Sequence, residues 1–277
     1  MRPILLDLPL PFGWHLPFPA YGSFLVLGML TAAWASGGHG QMLGLRRRDA
    51  FDLGIRLLAA ALVGAHLFDI AYHPAHYFGH GLVEGLKRSF SLGAGMVYYG
   101  GLAAAFPVLW FWSRRRGLPY VEALDFVAPL GALGLGITRI GCFLNGCCYG
   151  APTELSWGVR FPAGSLAHRQ QVAAGLITAE QPALPVHPVQ LAEAAVAVAL
   201  FAWLWWRFPR RRFRGELVVS FGLAYGLWRL VAEALRADAP GWTPGTWALT
   251  PSQGVSLVLI ALSLLGAWKL PRLPRPG

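Results

Sequence analysis

About seven long apolar stretches, joined by polar connections, constrain this chain more than any other feature of its sequence. A helix of that length crosses the roughly 30 Å hydrocarbon core of a lipid bilayer. The sequence therefore predicts an all-α polytopic membrane protein with about seven transmembrane helices. The predicted spans are 16–36, 51–72, 93–113, 119–141, 187–207, 215–236 and 250–270.

The charge distribution agrees with a membrane protein and argues against nucleic-acid binding. The chain is 55% hydrophobic and only 13% charged, yet it carries a formal net charge of +10. In a soluble protein such a charge would suggest a nucleic-acid partner. Here the arginines come in short clusters between apolar stretches, as in the cytoplasmic connections of membrane proteins. We therefore predict the lipid bilayer as a partner, and no nucleic acid.

The same basic residues predict how the chain lies in the membrane. Connections on one side hold fourteen lysines and arginines and those on the other side hold six, while Arg56, Arg139 and Arg229 lie inside spans. The more basic side faces the cytoplasm, which predicts an N-terminus outside and a cytoplasmic C-terminus. We expect residues 1–277 to form a single membrane-embedded domain without a cleavable signal peptide. The connection 146–186 is too long for a turn and predicts an extracytoplasmic loop or cap.

With this orientation, polar residues from different spans lie at the same extracytoplasmic ends. An arginine inside a span costs roughly 2.5–3.5 kcal/mol on insertion scales, so it is rarely kept without a partner or a substrate. The planar guanidinium group suits phosphate, and an anionic lipid head group lies at that depth. The residues that this pattern brings together are Tyr21, His66, Asp69, Tyr98, Tyr99, Arg139, His187, Arg229 and Glu233.

Two motifs each allow two interpretations. Tyr225, Arg229 and Glu233 recur every four residues and form one polar stripe on a helix. The stripe either faces a substrate or contains an internal Arg–Glu pair that holds the bundle together. Gly100 and Gly101 either leave room for a ligand or let two helices pack closely.

The segment 134–150, GLGITRIGCFLNGCCYG, concentrates the reactive side chains of the chain. It contains Arg139 at the end of a predicted span and all three cysteines, Cys142, Cys147 and Cys148. An odd number of clustered cysteines does not predict a disulfide framework. Their spacing, without an ordered histidine, falls short of the usual zinc patterns. We therefore predict no metal and no other cofactor.

Several motifs, in order along nearly the whole chain, resemble the bacterial prolipoprotein diacylglyceryl transferases. RIGCFLNGC at 139–147 resembles the family signature Gly-Arg-x-Gly-Asn-Phe-x-Asn-Gly-Glu, and Gly100 with Gly101 resembles its His-Gly-Gly motif. The other matching motifs are AYG at 20–22, LDFVAP at 124–129, HPVQLAE at 187–193 and YGLWRLVAE at 225–233.

The resemblance implies transfer of the diacylglyceryl group of phosphatidylglycerol to the thiol of a lipobox cysteine in exported prolipoproteins, a step of lipoprotein maturation. It also implies a multi-pass protein of the bacterial cytoplasmic (inner) membrane whose active site faces the outer leaflet. The implied catalytic residues are Arg139, Arg229 and Tyr99. Implied for substrate binding are Tyr21, Gly100, Gly101, Asn145, His187, Gln190, Glu193, Tyr225 and Glu233.

Three departures from the family pattern fall on residues that tune the chemistry. Tyr99 stands where the family has histidine, Cys142 where it has asparagine, and Cys147 where it has glutamate. His66 or His187 is then the candidate base. The three cysteines are candidate site thiols that either form a structural bridge or take up a lipid-derived group covalently. The alternative functions are transfer of a different phospholipid-derived group, and lipid binding without catalysis.

Overall fold

The computed structural model describes residues 4–9, 15–79, 81–89, 97–236 and 250–272, and within them the chain is mostly helical. The two strands pair as an antiparallel hairpin. The elements are β1 (Ile4–Pro9), β2 (His15–Pro19), α1 (Ala20–Met42), α2 (Arg47–Tyr72), α3 (Pro74–Phe78), α4 (Leu82–Ser89), α5 (Tyr98–Arg115), α6 (Tyr120–Asn145), α7 (Leu166–Ala173), α8 (Val189–Arg207), α9 (Glu216–Ala234) and α10 (Pro251–Lys269).

Six helices within the described ranges are long and apolar enough to cross a membrane: α1, α2, α6, α8, α9 and α10. Together with the helical character of the chain, they confirm the predicted all-α polytopic membrane protein. Residues 93–96 of the predicted span 93–113 lie outside the described residues. The rest of that span belongs to α5 from Tyr98 onward, and α5 is not one of those six helices. The number of seven transmembrane helices therefore stays a prediction, as does the orientation in the membrane.

The beginning of the first predicted span is wrong. Residues His15–Pro19 form β2, and α1 begins only at Ala20 and continues to Met42, beyond the predicted end at residue 36. Pro17 and Pro19 explain the late start of the helix. Proline has no backbone N–H to donate, and it disfavours the helical conformation in the residue before it.

The chain divides into two compact units. The first comprises Met1–Ala32 and Asp125–Gly277, and it contains α7 to α10 together with most of α6. The second comprises Ala33–Leu124 and contains α2 to α5.

A fully buried carboxylate, Asp125, joins α6 to the beginning of α9 in the first unit. Its Oδ2 accepts a hydrogen bond from the backbone N–H of Gly215 at 2.7 Å. Its Oδ1 accepts from the N–H groups of Leu217 and Val218 at 2.9 and 3.0 Å. The first N–H groups of a helix have no partner within the helix, so Asp125 satisfies α9 from a distant segment.

Glycines allow close packing of α9 against α10. A Cβ atom at Gly226 would lie 2.8 Å from the side chain of Ile260, and one at Gly222 would overlap Ser263. Small residues at four-residue spacing favour such contacts between membrane helices. This packing brings the beginning of α10 close to the end of α9, where the polar stripe ends.

Residues 146–186 are folded around a small apolar cluster. Tyr149, Phe161, Ala167 and Val186 are buried there against one another. The backbone of Ala151 donates to Leu235 O at 2.7 Å and thereby ties the segment to the end of α9. The extracytoplasmic position of this segment stays a prediction.

In the second unit, α2 and α5 pack through glycine backbones. A Cβ atom at Gly101 would lie 2.8 Å from Ala61 O, and one at Gly64 would lie 2.5 Å from Gly100 O. A Cβ atom at Gly100 would in turn overlap Phe68. The structure therefore favours the helix-packing interpretation of Gly100 and Gly101 over the one that leaves room for a ligand.

Candidate active site

Glu193 on α8 lies at the centre of a buried polar cluster in the first unit. Its Oε2 lies 3.0 Å from Arg139 Nε on α6 and 3.9 Å from Arg229 Nη1 on α9. Its Oε1 accepts a hydrogen bond from the Tyr225 hydroxyl at 3.0 Å. The Glu193 side chain is only 2% exposed. Three helices therefore meet at one carboxylate.

The polar stripe of α9 contains an internal Arg–Glu ion pair, as one of the two interpretations of the stripe predicted. Arg229 Nη2 donates to Glu233 Oε2 at 2.6 Å. The other oxygen of Glu233 accepts a hydrogen bond from the Thr250 hydroxyl at 2.9 Å. Thr250 was missed in the sequence analysis. Its Thr-x-x-Gln pattern with Gln253 indicates a capping box at the start of α10, but not the contact with Glu233.

Two guanidinium nitrogens of this cluster keep unused hydrogen-bonding capacity. Arg139 Nε and Arg229 Nη1 are buried, and within the described ranges neither makes a hydrogen bond of good geometry, although both lie near Glu193 Oε2. Buried donors without an acceptor are uncommon and cost free energy. Because both nitrogens approach the same oxygen from different helices, one bound anion could accept from both.

The three cysteines lie beside Arg139. Their Sγ atoms are all within 4.8 Å of one another, and all three are free thiols. Arg139 Nη1 lies 3.9 Å from Cys142 Sγ. Hydrogen bonds from Cys142 and Cys147 lower the pKa of the Cys148 thiol, and the positive charges of Arg139 and Arg236 lower it further.

Other predicted site residues surround the cysteines. The fully buried Gln190 donates from Nε2 to Cys147 O at 2.8 Å, and the Cys147 thiol donates to Cys142 O at 3.7 Å. Asn145 is the last residue of α6. Tyr21 lies close enough to Arg139 and the cysteines to interact electrostatically with them. His187 is half-buried, and its backbone N–H and C=O pair with Ala151 and Gly150. Their roles in a reaction stay predictions.

The remaining predicted site residues belong to the second unit. His66 Nε2 hydrogen-bonds Ser89 O at 2.7 Å. Since a carbonyl only accepts, Nε2 is the donor in this hydrogen bond. Tyr99 is half-buried in the first turn of α5, and Gly100 and Gly101 follow it in the contact with α2.

A sequence model of the prolipoprotein diacylglyceryl transferase family matches residues 9–269. The chain belongs to this family. It is similar to phosphatidylglycerol–prolipoprotein diacylglyceryl transferases from three bacteria. The one from Bordetella avium is 30% identical over 274 residues, which cover 94% of this chain and 94% of the relative. The one from Stenotrophomonas maltophilia is 32% identical, covering 95% and 90%. The one from Nitratidesulfovibrio vulgaris is 32% identical, covering 99% and 94%.

Membership of the prolipoprotein diacylglyceryl transferase family confirms the resemblance inferred from the motifs at 139–147 and 225–233. It also places the chain in a family of transferase enzymes. The matched residues extend over both units, so the second unit belongs to the family region as fully as the first.

Proposed function

We propose that this protein transfers the diacylglyceryl group of phosphatidylglycerol to the thiol of a lipobox cysteine in exported prolipoproteins. The names of its full-length relatives give both substrates. The observation that carries the proposal is the pair of buried guanidinium donors, Arg139 Nε and Arg229 Nη1, at one carboxylate oxygen. A lipid phosphate fits this position because it offers several acceptor oxygens and a negative charge.

The two arginines have a defined task in this reaction. The acceptor thiolate attacks the glyceryl carbon, a C–S bond forms, and the C–O bond to the phosphate breaks. The electron pair leaves on the phosphate oxygen, which gains negative charge as the bond lengthens. Donors that are already oriented in a dry site stabilise such charge most effectively. Glu193 and Tyr225 orient the donors before the lipid binds.

The nucleophile must lose its thiol proton before or during the attack, because the thiolate is the reactive form. Tyr99, His66 and His187 are the proposed candidates for this step.

The proposed reaction also sets the location of the protein. Exported acceptors and anionic lipid head groups meet at the outer leaflet of the bacterial inner membrane, which agrees with the charge distribution of the connections. Reporter fusions after Arg116 and after Arg214 should signal the cytoplasm, and a fusion at Glu154 should signal the exterior. An exterior signal at Arg116 would overturn this orientation and the position of the site.

Complementation tests the function directly. In a bacterium depleted of its own transferase, expression of this chain should restore growth and the diacylglyceryl mass increment on a reporter lipoprotein. A reporter whose lipobox cysteine is replaced by serine is the control and should stay unmodified. If this chain is expressed but the reporter lipoprotein stays unmodified, the result would contradict the proposal.

The cysteine cluster favours one second candidate, transfer of a phospholipid-derived group through a covalent adduct on the enzyme. Three thiols beside Arg139 offer a nucleophile within the same polar site. Intact-protein mass spectrometry after incubation with phosphatidylglycerol vesicles separates the two functions. A stable adduct on a cysteine would support the second candidate, whereas an unmodified enzyme that lipidates a lipobox peptide would exclude it.

A further inference from the structure

The backbone after α6 brings three sulfur atoms to one point. Gly146 and Cys148 adopt left-handed conformations with φ of 77° and 61°. Among the described residues, Cys148 is the only non-glycine residue with a positive φ. Such a conformation is unfavourable for a residue with a Cβ atom, so surrounding contacts must hold it in place. The hydrogen bond from Gln190 to Cys147 O is one of these contacts.

The sulfur separations are close to those of a metal–thiolate site. All three Sγ atoms lie within 4.8 Å of one another. With Zn–S bonds of about 2.3 Å, a tetrahedral zinc ion needs sulfur atoms roughly 3.8 Å apart. Small side-chain rotations close this difference. The spacing along the sequence did not indicate such a site, because it becomes compact only through the turn at Gly146 and Cys148.

The surroundings carry the charge that such a site requires. Three thiolates and one Zn²⁺ have a net charge of −1. Arg139 Nη1 lies 3.9 Å from Cys142 Sγ, and Arg236 acts electrostatically on Cys148. These cations offset the negative charge and orient the first ligand, as outer contacts do in metal sites. Thiolate ligands select soft ions such as zinc.

The ligand count leaves one coordination position open. Within the part of the chain that the structure describes, no histidine, carboxylate or further cysteine joins the three thiols as a fourth ligand. Zinc with three protein ligands and a fourth exchangeable position is the arrangement of catalytic rather than structural sites. Cys142 is buried, whereas Cys147 and Cys148 are only half-buried, so this side of the cluster is in partial contact with the surroundings of the protein.

We propose that Cys142, Cys147 and Cys148 bind one Zn²⁺ and that the thiol of the acceptor peptide occupies its fourth position. Metal binding stands on the sulfur geometry alone, whereas the role of the fourth ligand rests on the proposed function. A thiol that coordinates zinc loses its proton, so the metal supplies the thiolate that the transfer needs.

The step balances without any redox partner. Zinc binding releases three protons from the enzyme thiols, and coordination of the acceptor thiol releases a fourth to solvent. The zinc-bound sulfur then attacks the glyceryl carbon, the C–S bond forms, and the C–O bond breaks. The electron pair stays on the departing phosphate, which faces Arg139 and Arg229. The product is a neutral thioether, a weaker ligand than a thiolate, and it leaves the metal.

Metal analysis of the full-length protein in detergent tests the site independently of activity. After loading with Zn²⁺ and desalting, the wild type should retain about one zinc ion per chain. The Cys142→Ser, Cys147→Ser and Cys148→Ser variants should each lose most of it. Thr153→Ala, whose hydroxyl accepts a hydrogen bond from Leu155 in the same segment, is the matched control and should retain zinc. Equal zinc in wild type and the serine variants would overturn the proposal, as would isolation of the protein as a Cys142–Cys147 disulfide.

Cobalt substitution tests the fourth ligand on the wild-type protein, so it does not depend on the folding of any variant. Co²⁺ in this site should show the visible absorption of tetrahedral thiolate coordination. A lipobox peptide with cysteine should shift that spectrum, and the same peptide with serine should not. An unchanged spectrum with the cysteine peptide would overturn the role of the open position.

The transfer assay separates failure of this inference from failure of the proposed function. We expect a chelator to abolish peptide lipidation and Zn²⁺ to restore it. Full lipidation by a zinc-free enzyme would overturn the role of zinc in the transfer and leave the proposed function standing. Zinc binding with a peptide-dependent spectrum, but no lipidation under any condition, would overturn the function and leave the metal site standing.

Discussion

Two buried carboxylates in this protein each lie between two arginines, and they differ in what surrounds the arginines. In the second unit, Asp49 accepts hydrogen bonds from the backbone and side chain of Arg46 and lies 2.5 Å from Arg116 Nη1. Those side chains are 79% and 30% exposed. In the first unit, the arginines around Glu193 are only 16% and 11% exposed, and each keeps an unsatisfied nitrogen.

This difference distinguishes a structural ion pair, at Asp49, from the candidate active site around Glu193. Asp49 caps the start of α2, and its arginines are more exposed to solvent than those around Glu193, so the arrangement is complete by itself. Around Glu193, burial removes solvent, while Arg139 Nε and Arg229 Nη1 find no well-aligned acceptor among the described residues. A buried donor of this kind favours any ligand that brings an acceptor. The same residue types therefore support either stability or binding, depending on burial and on the remaining capacity for hydrogen bonds.

The largest expected effect is on stability. Glu193→Ala leaves the buried Arg139 without its carboxylate and leaves Arg229 with Glu233 alone, and it should lower the free energy of unfolding by about 3–5 kcal/mol. Asp49→Ala removes a capping contact with exposed arginines and should cost only about 0.5–2 kcal/mol. Thermal or denaturant unfolding in detergent measures both. Equal losses would remove the distinction between the two carboxylates.

The next effect is on transfer. Arg139→Ala and Arg229→Ala should each reduce diacylglyceryl transfer by about 10²- to 10³-fold, because each removes a donor to the charged leaving group. Lysine at either position should recover little, since it lacks the planar fork of donors. Arg116→Ala is the matched control from the second unit. Full turnover in Arg139→Ala or Arg229→Ala at equal expression would assign that arginine to the scaffold.

A smaller effect distinguishes packing from catalysis in the second unit. Gly64→Ala places a methyl group against Gly100 O and Ala104, so overpacking should cost about 1–3 kcal/mol of stability. Unfolding curves measure this loss. Transfer per folded molecule should not change, because the atoms nearest to the added methyl group belong to α5 and not to the cluster around Glu193. A loss of turnover with unchanged stability would show that the contact between α2 and α5 shapes the site as well as the fold.

The smallest effect lies at the edge of the polar cluster. Thr250→Ala removes the cap of α10 and the hydrogen bond to Glu233, and should cost about 1 kcal/mol. Thr31→Ala removes a hydroxyl bonded only within α1 and is the control for the same change of side chain. Identical unfolding midpoints for the two variants would mean that Thr250 adds nothing to the cluster.

Much of the candidate site was predictable because its charged residues lie within apolar stretches, where burying a charge costs free energy. Arg139, Arg229 and Glu233 are charged residues within apolar stretches, and their helical spacing predicts the Arg229–Glu233 pair. Glu193 was identified through the family motif, but its central position was not, because its partners come from α6 and α9. Thr250 carried only a local capping signal.

The sequence by itself determined the membrane-spanning helices and the family, because apolar length and ordered motifs are properties of single segments. It also determined that arginines inside spans need partners. Only the tertiary structure decided which partners they have, that Asp125 caps α9, that Gly100 and Gly101 pack against α2, and that three cysteines meet beside Arg139. The cysteine cluster depends on the turn at Gly146 and Cys148, whereas the other outcomes depend on contacts between segments that are distant in the sequence. No local pattern encodes such contacts, because they follow from the packing of whole helices.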